Sequence, residues 1–221
     1  MTQSVTTLVQ KVRAVLDENV SAAQSGLLDT GTLSIDDMII QHLPEAAHVA
    51  LVDAPRWMLV GCAETFTPSQ SQISRDVNGV VTVELPTEFL SLFNFKMSDW
   101  DYAVTEAILE SDPRYAIQHS PVAGLRGSKQ RPVVALIQDG SNKKLEAYTS
   151  GADTTVTCLI LKEPSITGTG SGQQLNYVDS RLVPAIVYYT AYMVAQSVGE
   201  DNKNLLAQYY KLLGVKNTKQ E

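Results

Sequence analysis

The spacing of hydrophobic residues changes twice along this 221-residue chain. Near both ends they recur three and four positions apart, which predicts amphipathic helices. Between the ends, apolar and polar residues alternate in short runs, which predicts β-strands. The helical positions are Leu8, Val9, Val12, Val15 and Leu16 at the start and Leu205, Leu206, Tyr209, Leu212 and Leu213 at the end. We therefore predict an α+β protein in which N- and C-terminal helices pack together around a central antiparallel β-rich insert.

This change of period predicts three segments along the chain. Residues 1–55 are expected to be helical, residues 56–163 to form the β-rich insert, and residues 164–221 to form a C-terminal helical hairpin and tail that packs with residues 1–55. Ser34 is a predicted N-cap of the second helix. Pro44 is expected to end or kink that helix, or to begin a third one.

Turn residues locate the strands of the insert. Asn78 and Gly79 can adopt the positive φ angles of a tight turn, so "SQISRDVNGVVTVELP" is predicted to be a hairpin. The turn "DGSN" should join the strands "VVALIQ" and "KLEAYT", and "TTVTCLIL" should form another strand. "PTEFLSLF" suggests one helical turn, and "SDPRYAIQ" suggests a short helix capped by Ser111. Residues 100–108 fit either helix or strand, with a slight preference for strand.

The glycine-rich stretch "GTGSG" lies within "EPSITGTGSGQQ", which we interpret as a flexible link. It shares its glycines with phosphate-binding loops, but no lysine follows them, and no helix opens directly after it. A phosphate site is therefore not predicted.

Composition narrows the possible functions. The net charge of −7 and the pI of about 5.0 argue against a protein that wraps nucleic acid tightly, although not against a surface along which nucleic acid slides. Cys62 and Cys158 are isolated, which indicates buried thiols in a reducing compartment. No secretory signal is evident, and the most apolar run, residues 182–195, is too short to cross a membrane. We expect a soluble protein made inside a cell.

Reactive groups do not form a recognisable catalytic motif. His42 and His48 are six residues apart, which places them on different helical faces, and no G-x-S-x-G elbow is present. We predict no catalytic residue, no bound metal and no cofactor. An enzyme with an unfamiliar site would need a deep pocket that holds His119, or the pair Asp99 and Asp101, beside a second reactive group.

The segment "LPTEFLSLFNFKMSDWDY" concentrates aromatic residues in a chain that has only four Phe and two Trp. Trp100 and Tyr102 are out of register with the preceding aromatics and lie among acidic residues, so we predict that they anchor a subunit interface. On this hypothesis, Trp100→Ala weakens assembly more than folding. The residues predicted to fill the core of the insert are Phe89, Phe93, Phe95 and Met97.

The loop "SPVAGLRGSKQRP" carries three basic residues, Arg126, Lys129 and Arg131. They are candidates for contact with an acidic partner or with nucleic acid. The alternative is an ordinary solvated loop, since no aromatic residue is interleaved with them.

Two stretches carry a resemblance to a known family. "VELPTEFLSLFNFKMSDWDYAV" with "SDPRYAIQHSPVAGLRGSKQRPVVALI", and later "LVPAIVYYTAYMVAQSVGEDNKNLLAQYYKLL", resemble ring or adaptor proteins of the head-to-tail connector of tailed bacteriophages, most closely those of crAss-like phages. The sequence likeness covers residues 83–137 and 181–213, and the family contributes no catalytic residues.

The resemblance implies a structural virion protein of the neck or tail region, made in the host cytoplasm. It implies a homo-oligomeric ring of twelve copies that contacts the portal protein and neighbouring tail or ring proteins. Double-stranded DNA would pass through the lumen without specific binding, and no membrane is involved. The tail from Val215 through Lys216 to Glu221 would reach the neighbouring ring. The alternative is a monomeric protein-binding or regulatory module from a mobile element.

Overall fold

The protein is an α+β protein made of two compact units. In a computed structural model, the described residues are 2–19, 34–140, 142–152, 154–200 and 202–215. The helical unit comprises Met1–Cys62 and Pro164–Glu221, and the β unit comprises Ala63–Glu163. The predicted start of the insert at residue 56 is wrong, because Arg56–Gly61 forms a 3-10 helix within the helical unit.

The secondary structure of the described residues runs as follows. The α-helices are α1 (Val5–Asn19), α2 (Ile35–Asp53), α3 (Pro113–Gln118), α4 (Val183–Ser197) and α5 (Lys203–Leu213). The strands are β1 (Thr2–Ser4), β2 (Glu64–Thr65), β3 (Ile73–Arg75), β4 (Val81–Glu84), β5 (Phe89–Met97), β6 (Ile108–Leu109), β7 (Val133–Asp139), β8 (Asn142–Tyr148), β9 (Thr155–Lys162), β10 (Ile166–Thr167) and β11 (Gln174–Asn176).

Helix α4 is the centre of the helical unit. It packs against α1, α2 and α5, and it is buried on several sides, as its nearly uniform apolar sequence predicts. The predicted N-cap of α2 is confirmed, because the Ser34 hydroxyl accepts a hydrogen bond from the Asp37 N–H. Pro44 lies inside α2, which continues to Asp53, so Pro44 neither ends this helix nor begins a third one.

The stretch interpreted as a flexible link is partly strand. β10 and β11 form a hairpin, and β11 also pairs antiparallel with β1, at the start of the chain. Gly168 makes the turn possible, since its φ is +89° and an added Cβ would meet the Gly172 carbonyl oxygen at 2.7 Å. The prediction of a link is therefore wrong: these glycines serve a turn that closes a three-stranded sheet.

The β unit contains a five-stranded sheet, ordered β3-β4-β8-β7-β6, and a three-stranded sheet, ordered β2-β9-β5. The predicted hairpin is confirmed, with β3 antiparallel to β4 and Gly79 at φ +78°. The β7–β8 hairpin and strand β9 are also confirmed. The helical turn expected in "PTEFLSLF" is wrong, because β5 begins at Phe89. Residues 100–107 form neither a helix nor a regular strand: they contain three bends and one isolated bridge between Val104 and Phe95, and β6 begins at Ile108.

Both faces of the five-stranded sheet are covered. One face packs Val81, Val83, Leu145 and Ala147 against side chains of the three-stranded sheet. On the opposite face, Tyr148 packs with Ile108 and Ala135, and Tyr115 of α3 lies against them. This second face carries the site described below. Helix α3 is capped by Asp112, whose carboxylate accepts from the Arg114 N–H, and not by Ser111 as predicted.

In the helical unit, α5 is tied to the end of α2 by a buried tyrosine. Tyr209 is fully buried, and its hydroxyl donates a 2.9 Å hydrogen bond to the Asp53 carboxylate. Its ring packs against Tyr189 of α4 with 4.7 Å between centroids. Burial, together with the bond to Asp53, raises the pKa of Tyr209 far above its ordinary 10.0.

Tyr209→Phe should lower the free energy of unfolding at pH 7 by about 1–3 kcal/mol, because a buried hydrogen bond to a charged group is lost. The raised pKa of Tyr209 also makes the free energy of unfolding depend on pH. The unfolded chain releases this proton near pH 10 and the folded chain does not, so stability is complete below about pH 10 and falls as the pH rises further. Urea unfolding at several pH values measures both effects. Tyr210→Phe, at the half-buried neighbouring position, is the control, and an identical alkaline profile for the two variants would contradict the assignment.

Candidate functional site

Trp100 belongs to the core of the β unit and not to its surface. It is 2% exposed, its ring meets Phe95 edge-on at 5.8 Å between centroids, and its Nε1–H donates to the Thr149 carbonyl at 3.2 Å. This burial contradicts its predicted role as an exposed anchor. The turn after β5 points Trp100 inward, whereas Tyr102 is 67% exposed. The interface role of Tyr102 stays a prediction.

The other large apolar residues of this segment are not all buried in the core. Phe89, Phe95 and Met97 are buried as predicted, but Phe93 is only half-buried. The reason is a bulge in β5. Residue 92 pairs with Ile160, and residue 94 pairs with Leu159, which is adjacent to Ile160 in β9. Phe93 is therefore an additional residue in β5, and it breaks the alternation of inward and outward side chains.

The three basic loop residues occupy three different environments. The Lys129 ammonium lies 3.1 Å from the Asp99 carboxylate, which also accepts from the Ser150 hydroxyl at 2.6 Å and the Gly151 N–H at 2.7 Å. Partial burial raises the pKa of Asp99, but these donors outweigh it and lower the pKa overall. Arg131 is exposed, and its partner role stays a prediction. Asp99 thus links the loop of Lys129 to residues 150–151, because it binds both.

Arg126, in contrast, lines a pocket on the second face of the five-stranded sheet. We call this cavity the Arg126 pocket; its volume is about 420 Å³. The turn between β3 and β4, strands β4 and β8, the end of α3 and the loop after it all contribute to its wall. The lining residues are Asp76, Asn78, Val80, Thr82, Gln118, His119, Ser120, Pro121, Arg126 and Glu146.

A hydrogen-bonded chain forms one wall of the Arg126 pocket. Glu146 of β8 lies opposite Thr82 of β4, and it accepts a hydrogen bond from the Tyr148 hydroxyl. Burial and this carboxylate raise the pKa of Tyr148 strongly, so the tyrosine keeps its proton. His119 Nε2 lies 3.4 Å from the Tyr148 oxygen. Because Tyr148 donates its hydrogen to Glu146, its oxygen is left to accept from the His119 ring.

The guanidinium of Arg126 is incompletely satisfied. Its Nε is buried and has no hydrogen-bond partner among the described residues. The ion pairs formed between described residues do not include Arg126. A buried donor without an acceptor costs free energy, so this arrangement of the Arg126 side chain is unfavourable for folding stability.

An exposed tryptophan in the helical unit was not predicted. Trp57 is 65% exposed and Val60 is 57% exposed, while Met58 and Leu59 between them are buried. In a 3-10 helix, residues three apart lie on one face, so Trp57 and Val60 point the same way. We call this pair the Trp57 face. The run "RWMLVG" carries no helix or strand period, and only a three-residue period would have revealed it.

Other groups have ordinary environments. Cys62 and Cys158 are buried thiols, as predicted, and burial raises the pKa of Cys158 to about 12. Within the described ranges, no cluster of three or more His, Cys, Asp or Glu side chains could hold a metal ion. In the same ranges, no helix has the length and apolar character needed to cross a bilayer. Val215 is 37% exposed, and Lys216 lies outside the described residues.

Comparison with protein-family models and with curated proteins finds no match to this chain.

Trp100→Ala should lower the free energy of unfolding by about 3–5 kcal/mol, because it removes a buried aromatic side chain and its hydrogen bond. Tyr102→Ala, two residues away and exposed, should change it by less than about 0.5 kcal/mol. Urea unfolding of both variants measures the difference. Similar values for the two would show that Trp100 is not in the core.

Gly127→Ala should destabilise the loop that carries Arg126. An added Cβ would meet the Tyr148 carbonyl oxygen at 2.7 Å and the Val133 Cβ at 3.0 Å, so we expect a loss of about 1–3 kcal/mol in urea unfolding. Gly124→Ala is the matched control, since a Cβ there meets nothing within 4 Å. Equal stability of the two variants would contradict this packing.

Proposed function

We propose that this chain is a structural subunit of a bacteriophage head-to-tail connector, forming a ring between portal and tail through which the genome passes. The observation that carries the proposal is the Trp57 face: a tryptophan and a valine exposed to solvent on the same side of a short helix whose other apolar residues are buried. The alternative is the monomeric binding or regulatory module, which needs a docking surface but no ring.

The Trp57 face has the composition and support of an interface anchor. Met58 and Leu59 are 5% and 7% exposed, so the 3-10 helix is held from beneath. Its backbone is closed by hydrogen bonds from the Met58 N–H to the Pro55 oxygen and from the Cys62 N–H to the Leu59 oxygen, each 2.9 Å. Tryptophan is enriched among residues that dominate binding energy, and a backbone that is already held in place loses little entropy on association.

Charge and resemblance support the same proposal. A net charge of −7 suits a wall past which DNA moves, because a surface poor in Lys and Arg does not neutralise phosphates. The likeness of residues 83–137 and 181–213 to connector ring proteins supplies the assembly context: a homo-oligomer that contacts the portal and the next ring.

Trp57→Ala should weaken ring assembly at least tenfold while changing the free energy of unfolding by less than about 0.5 kcal/mol, because the side chain is exposed. Native mass spectrometry across a concentration series measures assembly of the chain alone and with the portal protein of the same phage. Urea unfolding measures stability separately.

Val77→Ala is the matched control, since Val77 is a fully exposed apolar residue in a turn. It should leave assembly unchanged. A wild-type chain that stays monomeric and also fails to bind the portal would overturn the proposal. A monomer that captures one other protein in a one-to-one complex would favour the alternative.

A further inference from the structure

We propose that the Arg126 pocket binds a ligand that carries a single carboxylate group, with Arg126 as its cation. This inference is independent of the connector proposal, because it concerns the β unit and can be tested on the isolated chain. It starts from a mismatch: the pocket contains a guanidinium and two carboxylates, yet the described residues show no ion pair between them.

The two carboxylates of the pocket have other partners. Asp76 accepts from the N–H groups of Asn78 and Val80, each at 2.8 Å, and from the Asn78 side-chain amide at 3.3 Å. Slight burial raises the pKa of Asp76, but these bonds lower it overall. Glu146 accepts from the Tyr148 hydroxyl. Both acids are therefore engaged in their own local structure.

Arg126 is the cation of the pocket and has no such partner among the described residues. Arg126 lines the cavity and belongs to no ion pair between described residues, and a planar guanidinium presents paired N–H groups that match the two oxygens of a carboxylate. The loop that carries it is tied to α3, since the Gly127 N–H donates to the Gln118 side-chain oxygen at 2.7 Å. The guanidinium is thus attached to a supported backbone, which reduces the entropy lost on binding.

The charges around the cavity favour a carboxylate over a phosphate as the ligand. Asp76 and Glu146 line the same cavity as Arg126, so a phosphate dianion would place two negative charges beside two others with one guanidinium to offset them. A carboxylate brings one negative charge and the same bidentate geometry. The volume of about 420 Å³ exceeds that of a bare carboxylate, so the group arrives on a larger body such as an aliphatic monocarboxylic acid or an acidic side chain of a peptide.

The test is thermal unfolding of the full chain at constant ionic strength, with butyrate, a blocked Gly-Glu-Gly tripeptide, inorganic phosphate or chloride added. The variant is Arg126→Gln, and the matched control is Arg131→Gln in the exposed part of the same loop. Butyrate or the tripeptide should raise the Tm of the wild type and of Arg131→Gln by about 3 °C at tenfold its Kd. Neither should raise the Tm of Arg126→Gln beyond the chloride value.

Arg126→Lys keeps the charge without the planar fork, and it should bind at least tenfold more weakly; it also serves if Arg126→Gln does not fold. An effect of butyrate alone would identify a free acid as the ligand, whereas an equal effect of the tripeptide would identify an acidic protein segment. Equal Tm shifts in the wild type and in Arg126 variants for every anion would overturn the site. A larger Arg126-dependent shift with phosphate than with either carboxylate would overturn the ligand class.

Discussion

The carboxylate of Glu146 is the constraint on which the second face of the five-stranded sheet depends. Strand alternation turns its two sequence neighbours into the core, so Glu146 and Tyr148 share the opposite face. A charged group covered there needs donors, and the fully buried Tyr148 hydroxyl needs a partner for the same reason. The two requirements satisfy each other. The Tyr148 oxygen can still accept a hydrogen bond, and the ring of His119, at the end of α3, lies beside it.

The position of the loop after α3 depends on this arrangement. Gly127 passes so close to the Tyr148 backbone that a side chain would collide with it, and Gln118 holds its N–H. Arg126 is the residue next to that contact, so its side chain enters the pocket, while Lys129 has moved far enough along the loop to reach Asp99. Three cations that are equivalent in sequence thus become one pocket residue, one ion-paired residue and one exposed residue.

Much of the fold was predictable because the chemistry that specifies it is local. Ser34 caps a helix with its own hydroxyl, and Gly79 adopts the positive φ angle of the β3–β4 turn. The two tryptophans were misjudged because their burial depends on non-local packing. The acidic neighbours of Trp100 suggested that it is exposed, whereas the turn after β5 directs it into the core. Trp57 lies in an apolar run that suggests burial, but the three-residue period of a 3-10 helix places it on the solvent-exposed side.

The candidate sites follow the same division between local and non-local information. Arg126 and His119 could each be selected from the sequence, but nothing local predicts that they share a cavity, which depends on the pairing of Thr82 with Glu146 across two strands distant in the chain. The Trp57 face belongs to the helical unit and the Arg126 pocket to the β unit. Because no described residue belongs to both surfaces, a substitution in one leaves the contacts of the other intact. Assembly and carboxylate binding are therefore separable properties, each of which can fail without the other.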